Sequence, residues 1–281
     1  MMRAFLRRPI AEISAVSAAE MDFGRRFGGI NRLYGGGALA QLAAAHVCVV
    51  GIGGVGSWAA EALARCGVGR LTLVDLDHVA ESNTNRQIHA LEGEYGRAKV
   101  QAMAARIRAI NPRCEVREID DFVTVDNVAG LLPTCNYVLD AIDDGRAKAA
   151  LIAHCRAHDI PVVTTGAAGG RRDPTRIQVA DLARTEHDPL VARLRAQLRK
   201  EYGFPRGPKQ NFGVDCVFST EPIVRPINGA PACDIDESPT QGAAPQGLNC
   251  AGYGSAVMVT ASFGMAAAAR IVDRLVDRPI E

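Results

Sequence analysis

Apolar positions along this chain recur at two spacings, and the alternation between them marks out its elements. Residues 46–50, 71–74, 114–119, 136–143 and 161–166 are short, β-rich apolar runs that predict five strands. Stretches with apolar residues three and four apart separate them and predict helices over 57–68, 97–110, 125–132 and 147–158. On the second of these helices Val100, Met103, Ala104 and Ile107 share one face, and Asn111-Pro112 stops it. Strand and helix in alternation imply a parallel sheet joined by right-handed crossovers. The rhythm breaks after about residue 170. A basic helix is expected over 190–202, short strands at 177–179 and 216–218, and a Pro/Gly-rich stretch fills 204–247. Residues 21–45 read as short helices broken by Gly28-Gly29 and by Gly35-Gly36-Gly37, and residues 1–20 as a flexible tail. No internal repeat is visible. The expected organisation is one α/β domain over 21–270, with a core at 46–170, a part for substrate or subunit contacts at 171–270, and a C-terminal tail at 271–281.

Composition adds limits more than it adds identity. Of the 281 residues 48% are hydrophobic and 22% charged, the balance of an ordinary globular protein, and the net charge of +1 says little about partners. The basic residues are unevenly placed, however. The segment from Arg171 to Lys209 holds ten arginines and lysines against five acids, and Arg3, Arg7, Arg8, Arg25, Arg26 and Arg32 crowd the N-terminus. These are either solvated faces or a footprint for a polyanion such as RNA. None of the eight cysteines forms a CxxC pair, and Cys48, Cys66, Cys135 and Cys155 sit inside apolar patterns. They read as buried thiols of a protein in the reducing cytoplasm. Residues 248–269 are uncharged and about long enough to span a bilayer. They hold many glycine, serine and threonine residues and almost no Leu or Ile, so a buried helix is expected there in preference to membrane association.

The chemistry begins with "GIGGVG", residues 51–56, between the first strand and its helix. Glycines allow backbone to approach a phosphate, and the helix N-terminus favours its charge. Asp75 ends the second strand, where an acid can bind ribose hydroxyls. The fold class is therefore a Rossmann-like, mostly parallel sheet flanked by helices, with an N-terminal helical segment and an irregular C-terminal extension. A dinucleotide dehydrogenase needs no more polar residues than these, yet Asp75 and Asp77 lead into Asn83, Asn85, Arg86 and Gln87, and then Lys99. Arg86 and Lys99 suit a triphosphate, and Asp143 suits Mg²⁺. Such parts serve attack of a carboxylate on an α-phosphate, where positioning and charge neutralisation do most of the catalysis.

The combined pattern GxGGxG…DxDxVxxSNxxRQ…GxxKV…DAxD…K resembles the ubiquitin-activating-enzyme superfamily of adenylating enzymes, over about residues 21–170. The resemblance implies ATP and Mg²⁺ as cofactors. It places Gly51, Gly53, Gly54 and Gly56 along the phosphates, Asp75 and Asp77 at the ribose side, and Asn83, Arg86 and Lys99 on the phosphates. Asp143 would hold the metal, and Arg86, Lys99 and Asp143 would be the catalytic set. It also implies a homodimer in which an N-terminal arginine reaches the partner's ATP. Gly29 stands where that arginine is expected, which leaves Arg26 or Arg32 to supply it.

Within the superfamily, "RFGGINRLYG", "NTNRQIHAL", "TTGAAGG", "GVDCVFSTE" and "NCAGYGSAVMVTASFG" resemble the tRNA threonylcarbamoyladenosine dehydratase family, over most of residues 22–270. That implies a tRNA substrate whose threonyl carboxylate is adenylated and then closes on itself with loss of AMP. The alternative is an activator of a ubiquitin-like or sulfur-carrier protein, and a sulfur-transfer or carrier-protein partner stays open. Cys216, Cys233 and Cys250 stand alone, which argues against a structural zinc. Cys216 and Cys250 are each either a nucleophile or a structural thiol. Trp58 is expected to pack, and His78, His89, His154 and His158 to lie at the surface or be satisfied in the core.

Overall fold

The computed structural model describes residues 21–207, 210–224 and 253–276. Two helices, α1 (Phe23–Tyr34) and α2 (Ala38–Ala44), lead into β1 (His46–Val50), α3 (Gly56–Arg65) and β2 (Arg70–Val74). Then come α4 (Lys99–Ile110), β3 (Glu115–Ile119), the single turn α5 (Val128–Leu131), β4 (Tyr137–Asp140), α6 (Gly145–Ala157) and β5 (Val162–Thr165). The chain continues through β6 (Ile177–Asp181), α7 (Pro189–Glu201) and β7 (Asp215–Ser219) to α8 (Val257–Leu275).

The strands form one sheet in the order β3-β2-β1-β4-β5-β7-β6, parallel throughout except that β6 runs antiparallel to β7. On β1 alternate residues serve opposite layers. Val47 and Val49 pack with α3, α4 and α8, while Cys48 and Val50 pack with α6 and α7. β1 lies between β2 (Val50↔Val74) and β4 (Val50↔Asp140). Because the chain goes outward to β2 and β3 on one side and to β4 and β5 on the other, the loops after β1 and β4 part, and a crevice opens at the C-terminal ends of these strands.

Several expected boundaries move, each for a physical reason. Gly28 and Gly29 do not break α1. Phe23, Phe27 and Ile30 form one stripe that packs on Met21 and Leu39, and the Asp22 carboxylate caps the helix by accepting from the Arg25 N–H. A mid-helix glycine costs about 1 kcal/mol, and burial of one large apolar side chain returns about 1.5–3 kcal/mol. The helix ends where Gly35 and Gly37 take φ values of 104° and 101°. β4 stops at Asp140, so Asp143 lies in the loop before α6 and not on the strand. The C-terminal extension is less irregular than expected. α8 runs to Leu275, beyond residue 270 where a tail was placed. Its Val259, Phe263, Ala267, Ile271 and Val272 are buried against the sheet and α3. No helix of the described residues is long and apolar enough to cross a membrane. The tail 1–20, Cys233, Cys250 and most of the Pro/Gly-rich stretch lie outside the described residues.

Candidate functional site

A cavity of about 730 Å³ fills the crevice. Its floor is the glycine loop. Gly51 has φ 87°, and a Cβ on it would lie 2.8 Å from the Ala141 carbonyl oxygen; on Gly56 a Cβ would come 1.8 Å from the Gly51 oxygen. Side chains there would push the β1 and β4 loops apart. Gly51, Gly53 and Gly54 line the cavity, and Gly56 opens α3 beneath it.

Asp75, at the end of β2, is bound before any ligand arrives. One carboxylate oxygen accepts from the Ile52 N–H at 2.6 Å and the other from the Asp77 N–H at 2.9 Å. Burial pushes its carboxyl above the usual carboxylate range, against the pull of Lys99 and of these two N–H groups. Lys99, only 6% exposed, is the first residue of α4 and donates to Asp77 at 2.6 Å, with Asp75 at 4.0 Å. Asn83 closes a 3-10 turn over Glu81–Asn83 by accepting from the Ala80 N–H, so its side-chain oxygen is already used. Arg86 extends along the same loop. Its guanidinium donates to the Ser82 carbonyl and to Asn85 Oδ1, and its own carbonyl accepts from Trp58 Nε1 at 2.9 Å. Trp58 therefore packs, as expected, and also fixes the backbone of Arg86.

Asp143 lines the cavity from the β4 side. The loop that carries it is held from below by a fully buried ion pair, Lys148 to Asp140 at 2.9 Å. Asp140 also accepts from the Thr164 hydroxyl at 2.7 Å and from the Ile142 N–H at 3.1 Å. The structure thus brings Gly51, Gly53, Gly54, Asp75, Asp77, Asn83, Arg86, Lys99 and Asp143 to one cavity.

Other expectations fall away from it. Arg26 donates to the Ile110 carbonyl at the end of α4, and neither Arg26 nor Arg32 lines the cavity of its own chain. Cys216 sits in mid-β7, fully buried, and burial pushes its thiol well up, so of its two readings the structural thiol fits and the nucleophile does not. His89 is a core residue but not a satisfied one. It is 2% exposed, and neither ring nitrogen has a hydrogen-bond partner among the described residues. Arg171, counted in the basic segment, is buried. It pairs with Asp188 at 3.4 Å and donates to the carbonyls of Ala167 and Ser219. Arg195 is tied to the Thr185 carbonyl and Arg199 to that of Pro205. Among the described residues the exposed cations of this region are Arg172, Arg176, Arg184, Arg193, Lys200 and Arg206.

Sequence reasoning missed half of the cavity wall. The 121–126 loop after β3, Arg146 on α6, Thr165 to Gly169 after β5, Leu190, Ser255 and Thr260 also line it. Ser255 accepts from Asn85 Nδ2 at 2.8 Å, which draws the segment before α8 onto the phosphate side. The signal available was positional: each of these except Ser255 and Thr260 follows the C-terminal end of a strand or begins the next helix.

The ThiF family model matches residues 29–279 of the chain. The tRNA threonylcarbamoyladenosine dehydratase of Escherichia coli is 54% identical over 253 residues, covering 89% of this chain and 93% of that one. The Haemophilus influenzae protein of the same name is 46% identical and covers 92% and 95%. Among solved structures, that of the E. coli tRNA N6-threonylcarbamoyladenosine dehydratase in complex with ATP superposes with a TM-score of 0.80 at 51% identity, covering 94% of this chain and 97% of that one.

Proposed function

The chain belongs to the ThiF family, and from that premise we propose that it is an ATP-dependent enzyme that dehydrates N6-threonylcarbamoyladenosine in tRNA by adenylating its carboxylate. One observation carries the reading: a single cavity holds a glycine-loop nucleotide half, with Asp75, Arg86 and Lys99, and a second half after β4 and β5 with room for another substrate.

The residues divide the work. The glycine loop and the N-terminus of α3 receive the phosphates, and Asp75 the ribose. Arg86 and Lys99, both positioned by protein acceptors in advance, offset the charge that builds on the phosphates during displacement. The threonyl carboxylate attacks the α-phosphorus, and pyrophosphate leaves. A nucleophile of the same side chain then attacks the acyl carbon, and AMP departs with one carboxylate oxygen, so the nucleoside loses one water in total. An internal nucleophile has a high effective molarity, so no enzyme thioester is required, in keeping with the burial of Cys216.

Mg²⁺ fits this site in the manner usual for nucleotides, with one or two protein carboxylates and the rest of its shell from phosphate and water. Asp143 supplies such a carboxylate, exposed in the cavity wall. The ion would neutralise phosphate charge when bound. Arg26 and Arg32, which do not line their own cavity, are the candidates to reach a second subunit's ATP in a homodimer.

The test is direct. Purified protein is incubated with ATP, magnesium and tRNA carrying the threonylcarbamoyl group, and the nucleosides are weighed after digestion. A product lighter by one water, absent with Asp143→Ala, is the expected result. An unchanged nucleoside, together with ATP–pyrophosphate exchange that needs a small carrier protein, would replace this reading by carrier activation.

A further inference from the structure

Among the described residues three cations line the cavity, and two of them are engaged. Lys99 is paired with Asp77, and Arg86 is held by Ser82 and Asn85. Both belong to the connection between β2 and α4, on the nucleotide half. The third, Arg146, lies across the crevice in the first turn of α6, after β4. Its backbone N–H is fixed by the Asp144 carboxylate at 3.0 Å. Its guanidinium makes no hydrogen bond or ion pair among the described residues, although Asp143 and Asp144 lie close by in sequence, and the residue is exposed and lines the cavity.

We propose that Arg146 is a specificity-determining residue that grips an oxyanion pair of the tRNA, not of ATP. This rests on the function proposed above. Three points carry it. The position is at the start of α6, after β4, in the wall that also holds Thr165 to Gly169 and Leu190, and not on the β2–α4 connection that supplies Arg86 and Lys99. No acceptor among the described residues occupies the side chain's donors, which form a planar fork that matches a carboxylate or a phosphodiester with two parallel hydrogen bonds. And Asp144 fixes the backbone so that the side chain starts from a defined point in the cavity wall. The anion gripped is either the carboxylate of the modified adenosine or the phosphodiester next to it. The two share one chemistry, and binding measurements separate them.

Arg146→Ala and Arg146→Lys are compared with wild type for three quantities: ATP affinity, turnover of threonylcarbamoylated tRNA, and affinity for that tRNA with and without its threonylcarbamoyl group. Arg146 is exposed, so both variants should fold, which the melting temperature checks. The expected result for Arg146→Ala is ATP affinity within about threefold of wild type and modified-tRNA affinity 10- to 100-fold weaker, the loss of a charge-assisted pair of hydrogen bonds. Arg146→Lys should recover part of it, since it keeps charge and loses the fork. A penalty confined to modified tRNA assigns the carboxylate; an equal penalty for both tRNAs assigns the phosphodiester. Weaker ATP binding with unchanged tRNA affinity would make Arg146 a nucleotide residue and overturn the proposal, as would a variant equal to wild type in all three quantities. A wild type without turnover would overturn the dehydratase reading and this inference with it.

Discussion

At the scale of single residues, the site is a set of charges held by backbone groups and neighbouring side chains before any ligand arrives. Lys99 and Asp75 are both buried and each has a protein partner, so their positions cost nothing further when a nucleotide enters. Buried His89 has no hydrogen-bond partner at either ring nitrogen among the described residues. Burial, and then the nearby Lys99 and Arg106, lower its pKa from 6.5 to about 4. Between those values the unfolded chain binds a proton that the folded one refuses, so stability rises with pH across that window and falls as pH drops through it. From pH 7 to pH 5 this group alone should cost about 2 kcal/mol of unfolding free energy. Urea titrations of wild type and His89→Leu at both pH values check it. A pH dependence as steep in the variant as in wild type would sink the idea.

At the scale of elements, α8 is the buttress of the phosphate loop. A Cβ on Gly264 would stand 2.5 Å from the Val55 carbonyl oxygen and 2.9 Å from the Ala59 nitrogen, both backbone atoms that cannot step aside. Gly264→Ala should therefore destabilise the protein by about 1–3 kcal/mol despite its better helix propensity, and weaken ATP binding, because it pushes α8 off the loop. Gly29→Ala is the matched control. It too is a helix interior, but its Cβ would meet only Arg32 Nη2 at 3.8 Å, so it should stabilise by up to about 1 kcal/mol. Denaturation midpoints decide between steric and propensity effects: if both variants shift the same way, the packing argument fails. The same contrast shows why α1 was hard to read from its letters. Glycine pairs usually interrupt helices, and the apolar stripe of Phe23, Phe27 and Ile30 outweighed them only because Met21 and Leu39 were there to receive it.

At the scale of the whole molecule, the exposed arginines and lysines described between 172 and 206 are the candidates for contact with a tRNA backbone, while Arg171 is buried and the half-buried Arg195 and Arg199 are tied to backbone carbonyls. Arg193→Ala with Lys200→Ala should weaken tRNA binding and reduce the slope of log affinity against log salt by roughly 1–2, with ATP affinity unchanged. An unaltered slope would remove this face from the interface. The sequence by itself determined the sheet, the glycine loop and the acids and cations that follow β1 and β2, because these depend on local periodicity and on residues a few positions apart along one connection. It also marked Asp143, through the pattern at the end of the β4 run. Only the tertiary structure decided which basic residues are buried, that Trp58 and Thr260 both approach the Arg86 carbonyl, and that Arg146 lines the same cavity as Lys99 and Arg86. Those facts depend on where strand ends from separate parts of the chain converge, and a position in three dimensions leaves no period in one.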